Sequence, residues 1–143
     1  MATVVAVCIS EKKGTVKTPV TEIELRVSHG IDGDAHAGDW HRQVSLLGAE
    51  SVDKLRAAFP DLPPGAFAEN ILTEGLILYE LPVGTRLRVG DALLEITQIG
   101  KECHEACEIR VKTGDCVMPR EGVFATVLEA ATVRAGDAVE VAL

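Results

Sequence analysis

The stretch TRLRVGDALLEITQI, residues 85–99, decides the fold class of this chain. Leu87 and Val89 alternate with arginines before the Gly90–Asp91 pair, and apolar residues recur at alternate positions after it. A period of two is typical of a strand with one buried face, and a Gly–Asp pair between two such runs favours a tight turn. The stretch therefore predicts two antiparallel strands joined by a hairpin.

Further short elements are predicted on both sides of this hairpin. Strands are predicted at TVVAVCIS (3–10) and TEIELRV (21–27). A strand is also predicted at GVFATVLEA (122–130), whose apolar residues fit the spacing of a helix or of a strand and whose context favours a strand. RAGDAVEV (134–141) echoes the first hairpin and predicts a second. A single helix is predicted over residues 49–59, ended by the prolines that follow. Many short strands with one helix favour a mainly β fold, either a β-barrel or a β-sandwich.

Length and composition narrow the function class. A chain of 143 residues predicts one domain, residues 1–143. The net charge of -8 argues against a nucleic-acid partner, because phosphate backbones attract basic surfaces. The start lacks a signal peptide and no apolar run reaches a membrane span, so we expect no membrane association. The expected location is the cytoplasm, where thiols stay reduced.

The segment KECHEACEIRVKTGDC, residues 101–116, carries three of the four cysteines. They are Cys103, Cys107 and Cys116. Thiolates are soft ligands and strong nucleophiles, so this clustering indicates a functional site, with small buried apolar residues as the alternative. Lys101 and His104 flank Cys103 at the end of a predicted strand, and a nearby cation lowers the pKa of a thiol.

Two other uses of these cysteines remain open. Cys103, His104, Cys107 and Cys116 have the number and type of ligands that a closed zinc site requires. Their spacing differs from paired zinc knuckles, and the adjacent Cys103 and His104 would have to point at one ion. A reversible Cys103–Cys107 disulfide requires the segment to fold back on itself.

Two polar segments supply further candidates. In GDAHAGDWHRQV, residues 33–44, histidines and aspartates offer a metal site or simply stabilise their own turns. Arg42, before an apolar run, either reaches an anion through paired N–H donors or forms a surface salt bridge. In FAENILTEGL, residues 67–76, Glu69 and Asn70 either contact a polar ligand or serve a cap or turn.

Taken together, the chain resembles the MOSC family, which is named for the C-terminal domain of molybdenum cofactor sulfurases. It looks most like the small stand-alone bacterial members. The matching segments are GIDGDAHAGDWHRQVSLL, GAFAENILTEGL, LPVGTRLRVGDALLEITQIGKECHEAC and GDCVMPREGVFATVLEAATVRAGDAVEV. The resemblance implies a closed or partly open β-barrel, like the pyruvate kinase insert domain, with one or two short helices.

The resemblance also implies roles for particular residues. Cys103 takes the position of the family cysteine that carries sulfur or ligates the molybdenum of a pterin cofactor. Glu69 and Asn70 match the family's Glu-Asn-Ile/Leu segment near that pocket, and Arg42 falls where members often carry a basic residue. This chain departs from the Arg-x-Pro-Cys of larger members, and Cys107 and Cys116 are extra. No pyridoxal phosphate is expected, because no segment looks like the lysine-bearing one of the desulfurase domain.

The leading hypothesis is a protein of molybdenum cofactor metabolism that binds a molybdenum–pterin cofactor or carries sulfur. Cys103 would ligate molybdenum or accept sulfur, with Cys107 and Cys116 as further candidate ligands. The residues expected to contact or tune the cofactor are Arg42, Glu69, Asn70, Lys101 and His104. Any enzymatic activity would be sulfur transfer or molybdenum-dependent reduction with external electron donors. The alternatives are a non-catalytic module that delivers cofactor to biosynthetic proteins or molybdoenzymes, and a zinc-stabilised structural domain.

Overall fold

A computed structural model describes residues 2–13, 15–56, 60–100 and 121–142 of the chain. The strands are β1 (Ala2–Ile9), β2 (Thr18–Val20), β3 (Ile23–Arg26), β4 (Gly30–Ile31), β5 (Val44–Gly48), β6 (Ile71–Glu74), β7 (Arg86–Val89), β8 (Ala92–Ile99), β9 (Val123–Glu129), β10 (Ala131–Val133) and β11 (Ala138–Ala142). The helices are α1 (Ala49–Arg56) and a 3-10 turn (Leu78–Glu80). The predicted site residues outside the described part are Lys101, Cys103, His104, Cys107 and Cys116.

Seven strands form a closed barrel. The hydrogen-bonded order is β11-β7-β8-β9-β5-β6-β1, and β1 pairs with β11 to complete the ring. Every pairing in the ring is antiparallel except β5 with β6. Strand β2 adds to β1, and a small second sheet has the order β10-β3-β4. The prediction of a mainly β barrel with one or two short helices is confirmed.

The first predicted hairpin is confirmed and the second is wrong. Strands β7 and β8 pair directly, with Val89 opposite Ala92. The strands on either side of Gly136 instead join different sheets, because β10 pairs with β3 while β11 pairs with β7 and β1. The amide of Gly136 donates to the Val4 carbonyl (2.7 Å), and the Val4 amide donates to the Asp137 carbonyl (2.8 Å). This turn therefore bonds to β1 rather than closing a hairpin.

Helix α1 begins at Ala49 as predicted and is described as far as Arg56. Glu50 lies in its first turn, and Lys54 and Arg56 lie in its last turn. Carboxylates near the N-terminus and cations near the C-terminus stabilise the helix dipole. Residues 57–59, the end of the predicted helix, lie outside the described residues. No described helix is long and apolar enough to cross a membrane.

The buried apolar residues form two layers, as strand alternation requires. Leu46, Ile71 and Val123 belong to the larger cluster, which also takes in residues of the other ring strands and fills the barrel. Their sequence neighbours Leu47, Leu72 and Phe124 belong to a second cluster on the outer face. That second cluster also contains apolar residues of α1 and of the 62–68 loop. The outer face around β1, β5, β6 and β9 is therefore covered, and the polar groups described next lie along it.

Candidate functional site

The site is built at the point where β8 ends. The Gly100 amide donates to the Gly122 carbonyl at 2.7 Å, so the two residues that flank 101–121 lie side by side. The Gln98 side chain donates its amide N–H to the Gly100 carbonyl at 2.7 Å. The sequence that carries Cys103 therefore starts from an anchored strand end, which is a rigid base for a functional segment.

The polar loop before β5 is fastened to this strand end. The Thr97 hydroxyl is shared between the carbonyls of His41 and Phe124. His41 Nε2 lies 2.7 Å from Gln98 Oε1. These contacts hold residues 40–43 against β8 and β9, beside the strand end that leads to residue 101.

Arg42 is held by aromatic rings rather than by a carboxylate. Its guanidinium carbon lies 4.6 Å from the ring centroid of Trp40 and 5.6 Å from that of Phe124. Its Nε atom is buried and has no hydrogen-bond partner among the described residues. A guanidinium stacked on aromatic faces keeps its charge and its in-plane donors, and those donors match carboxylate or phosphate oxygens. The salt bridge considered for Arg42 is not formed with any described carboxylate, so the arrangement suits an anionic ligand.

A second cation approaches the same indole. Lys13 Nζ lies 4.9 Å from the Trp40 ring centroid. His41 packs edge-on against Trp40, with ring centroids 5.9 Å apart. The indole thus has two cationic side chains over it although the chain is acidic overall, with a net charge of -8. A local concentration of positive charge raises the potential at this one place.

Behind Trp40 lies a buried polar network around Lys17. Its ammonium donates to Ser10 Oγ (3.0 Å), Asp34 Oδ1 (2.8 Å) and His36 Nδ1 (3.1 Å). Burial alone would raise the pKa of Asp34, but the hydrogen bond and charge of Lys17, with the amides of Ser10 and His36, outweigh it and lower the pKa. Asp34 is therefore ionised, and both of its carboxylate oxygens accept hydrogen bonds from other groups of the chain.

These contacts bear on the metal site considered for residues 33–44. Both oxygens of Asp34 accept hydrogen bonds from within the chain, and His41 faces Gln98. Over the ranges that the structure describes, no group of three or more His, Cys, Asp or Glu side chains is placed to hold a metal ion. The bond from the His36 amide to Asp34 fits the turn-stabilising role weighed for this segment, whereas the bonds from Ser10 and Lys17 reach other segments.

The chain matches the model of the MOSC domain over residues 32–140. The chain belongs to the MOSC domain family. A search of curated protein sequences gave no match. The fold is similar to that of YuaD from Bacillus subtilis (TM-score 0.80, 19% identity, 99% of this chain and 96% of that chain). It is also similar to YiiM from Geobacillus stearothermophilus (TM-score 0.75, 16% identity, 100% and 76%) and from Escherichia coli (0.67, 21%, 99% and 68%). The family is associated with molybdenum cofactor-related proteins.

Glu69 of this MOSC domain lies in the interior and binds its own loop. The Glu69 carboxylate accepts the amides of Gly65 (2.8 Å) and Phe67 (3.1 Å). Burial raises the pKa of Glu69 even though these amides favour the charged form. These contacts agree with the turn role considered for Glu69 in the sequence analysis. The predicted contact of Glu69 with a cofactor stays a prediction.

Asn70 is also enclosed and connects β5, β6 and β1. Its Oδ1 accepts from the Ser45 amide (2.9 Å) and hydroxyl (3.1 Å), and its Nδ2 donates to the Cys8 carbonyl (3.1 Å). Asn70 is 0% exposed. These bonds use the side-chain oxygen of Asn70 twice and one of its two amide N–H groups, and every partner lies within the chain. Its predicted contact with a cofactor stays a prediction.

Cys8, the fourth cysteine, is a buried residue of the second cluster. Burial raises its pKa to about 12, the charge of Glu69 adds to the shift, and Lys17 opposes it. A thiol in this state is a poor ligand and nucleophile. Cys8 is therefore a poor candidate for a reactive cysteine, and the role predicted for Cys103 stays a prediction.

Sequence reasoning missed three contributors to the site. They are Lys17, Trp40 and Gln98, none of which was a candidate residue. The one available signal was the position of Trp40, the single tryptophan, two residues before Arg42 in a polar loop. Nothing in the sequence distinguishes Lys17 from an exposed lysine.

The described residues fit the anionic part of a pterin cofactor. A buried guanidinium nitrogen without a partner is costly unless a ligand or water satisfies it, and a phosphate oxygen is a strong acceptor for it. The soft ligand that molybdenum prefers would come from Cys103, which lies outside the described residues.

Proposed function

We propose that this MOSC domain binds a molybdenum–pterin cofactor, or an intermediate of it, in molybdenum cofactor metabolism. Arg42 contacts an anionic group of the ligand, and Cys103 is the thiolate ligand or sulfur acceptor. The observation that carries the proposal is the Arg42 guanidinium, which lies against two aromatic rings without a described carboxylate partner. It stands beside the strand end from which the Cys103 segment begins.

The charges around the site support this assignment. Lys13 and Arg42 both face Trp40, and the buried carboxylate of Asp34, in the same loop as Trp40, is already neutralised by Lys17. An incoming anion therefore meets cations whose charge is not cancelled by Asp34. Paired N–H donors of a guanidinium orient a phosphate as well as attract it.

Cys103 supplies the chemistry in this proposal. A bound molybdenum centre would provide a thiophilic metal, and a thiolate is a soft ligand for it. Lys101 and His104, its neighbours in sequence, would favour the thiolate over the thiol. In the sulfur-carrier form of the proposal, the same thiolate attacks the outer sulfur of a cysteine persulfide on a donor protein. A new S–S bond forms on Cys103, the S–S bond of the donor breaks, and the donor cysteine leaves as a thiolate. The partners would be biosynthetic proteins of the cofactor or molybdoenzymes, in the reducing cytoplasm.

Metal content tests the proposal. The protein is purified from cells supplied with molybdate, and molybdenum per chain is measured together with the oxidised pterin released on denaturation. We expect Cys103→Ser to lose molybdenum, and Arg42→Gln to retain roughly tenfold less pterin than the parent. Arg86→Gln is the matched control, because Arg86 is an exposed arginine of β7 that pairs with Glu95 of β8.

Three outcomes would contradict parts of the assignment. Equal molybdenum in Cys103→Ser and the parent would remove Cys103 from the site. Equal losses in Arg42→Gln and Arg86→Gln would make the Arg42 effect one of overall charge. Stoichiometric zinc in place of molybdenum, with unfolding on chelation, would favour the structural zinc site instead.

A further inference from the structure

The Lys17–Asp34 pair is an unusual feature of so small a domain. Both side chains are fully buried, at 0% exposure, and their charged atoms are 2.8 Å apart. Burying two charges costs about as much as their attraction returns, so an apolar pair often gives equal or greater stability. Lysine and aspartate are rarely buried in this way unless they are paired. The pair therefore calls for a role other than stability alone.

The pair joins three separate segments of the chain. Ser10 follows β1, Lys17 precedes β2, and Asp34 and His36 follow β4. Asp34 Oδ1 also accepts the Ser10 amide (3.0 Å), and Asp34 Oδ2 accepts the His36 amide (3.1 Å). Asp34 thus fixes the backbone of the Ser10 segment, and the Lys17 ammonium contacts side chains of both other segments where the three meet.

The network continues directly to the aromatic ring of the site. The Trp40 indole N–H donates to the His36 carbonyl at 2.8 Å, and the two rings are nearly parallel, with an interplanar angle of 4°. Trp40 in turn supports Arg42. Lys13, the second cation over Trp40, lies in the turn between Ser10 and Lys17. Both segments that bring cations to Trp40 are therefore tied to Lys17.

We propose that Lys17 is a positioning residue for the Arg42 site, which holds Trp40, and through it Lys13 and Arg42, in the arrangement that receives an anion. Lys17 does this through Asp34 and His36 without touching the ligand. This inference rests on the proposed function, since it takes Arg42 to be the anion contact. Partners that orient first contacts commonly change ligand affinity when they are removed.

The experiment uses the sole tryptophan as its probe. Trp40 is the single tryptophan of the chain, so its fluorescence reports on the site without labelling. Inorganic phosphate is titrated at constant ionic strength, and the change in Trp40 emission gives the dissociation constant. Acrylamide quenching of Trp40 is measured in parallel as a readout of ring position that a loss of stability elsewhere would not alter.

Two variants remove the network. Lys17→Met leaves the Asp34 carboxylate buried without its cation, so of the two variants it is the more prone to misfold. Lys17→Met/Asp34→Asn removes both charges, so it keeps the proposal testable if the single variant does not fold. Val89→Ala, in the barrel interior and away from Trp40, is the stability control.

We expect the double variant to fold, to bind phosphate roughly tenfold more weakly, and to show increased acrylamide quenching of Trp40. Val89→Ala should melt at a lower temperature with unchanged phosphate affinity and quenching. The inference is overturned if the double variant keeps the parent's affinity and quenching, or if Val89→Ala weakens binding equally. Arg42→Gln separates the two proposals: if it binds phosphate as the parent does, the anion contact itself is wrong. If Arg42→Gln is weakened and the Lys17 variants are not, only the positioning role fails.

Discussion

The Cys8 thiol is expected to be inert in the native protein. Its pKa is raised from 9.0 to about 12, chiefly by burial. At about pH 8 a thiol with the lower value is roughly 9% ionised, whereas one with the higher value is about 0.01% ionised. Because the thiolate is the reactive form, the reactive fraction of Cys8 is about a thousandfold smaller than that of an ordinary cysteine. Cys8 is also 0% exposed, so any reagent must wait for local opening.

Thiol counting under native and denaturing conditions measures this difference. A chromogenic disulfide reagent is added at about pH 8, and the labelled peptides are identified by mass spectrometry. Denatured protein should show all four cysteines. Cys8→Ala should leave the fast native count unchanged and lower the denatured count by one. Native labelling of Cys8 within about tenfold of the rate of an unhindered thiol would refute both its burial and its exclusion from the site.

Two further predictions concern the framework behind the site. Gly65→Ala should lower the free energy of unfolding by about 2–4 kcal/mol, because its φ is +86° and the new Cβ would lie 2.0 Å from the Lys17 carbonyl oxygen. Gly33→Ala, with φ +85° and no atom within 4 Å, should cost only about 1 kcal/mol; equal losses in urea denaturation would contradict the clash. Since the pKa of Asp34 is lowered in the folded state, its stabilisation is present above the unfolded pKa and is lost as pH falls through the folded one. The difference in free energy of unfolding between the parent and Asp34→Asn should therefore narrow as the pH is lowered. It is measured by urea denaturation at successive pH values, and a constant difference would show that the charge of Asp34 contributes nothing.

The local parts of the fold were predictable and the long-range parts were not. The hairpin over residues 85–99 follows from alternation and a Gly–Asp turn, which are both local signals. Closure of the barrel depends on β1 pairing with β11, with Ala2 opposite Val139, and no local pattern encodes that pairing. The same limit explains the wrong second hairpin. The turn at Gly136 has the motif of the first, but its hydrogen bonds go to Val4, which is distant in sequence.

The residues of the candidate site likewise differ in how far the sequence predicts them. Arg42 could be singled out because its place before an apolar run is visible in the sequence. Lys17 was not, since burial of a lysine depends on which segments fold over it. Glu69 and Asn70 were singled out by residue type, but type alone cannot distinguish a side chain that faces a ligand from one that binds its own backbone. Their hydrogen bonds within the chain became visible only with the tertiary structure.

An acidic protein can still receive an anion if its charges are arranged locally. Screening in physiological salt reduces the repulsion from carboxylates more than about 8 Å away, so groups near Trp40 dominate the potential there. Asp34 is close, but Lys17 neutralises it inside the fold. Arg42 and Lys13 lie over the indole, an aromatic face that does not compete for their donors, whereas Asp39, the residue before Trp40, is exposed to solvent. Burying the Lys17–Asp34 pair thus does two things at once: it fixes the loop that carries Trp40, and it removes a nearby negative charge from the surface where an anion would bind.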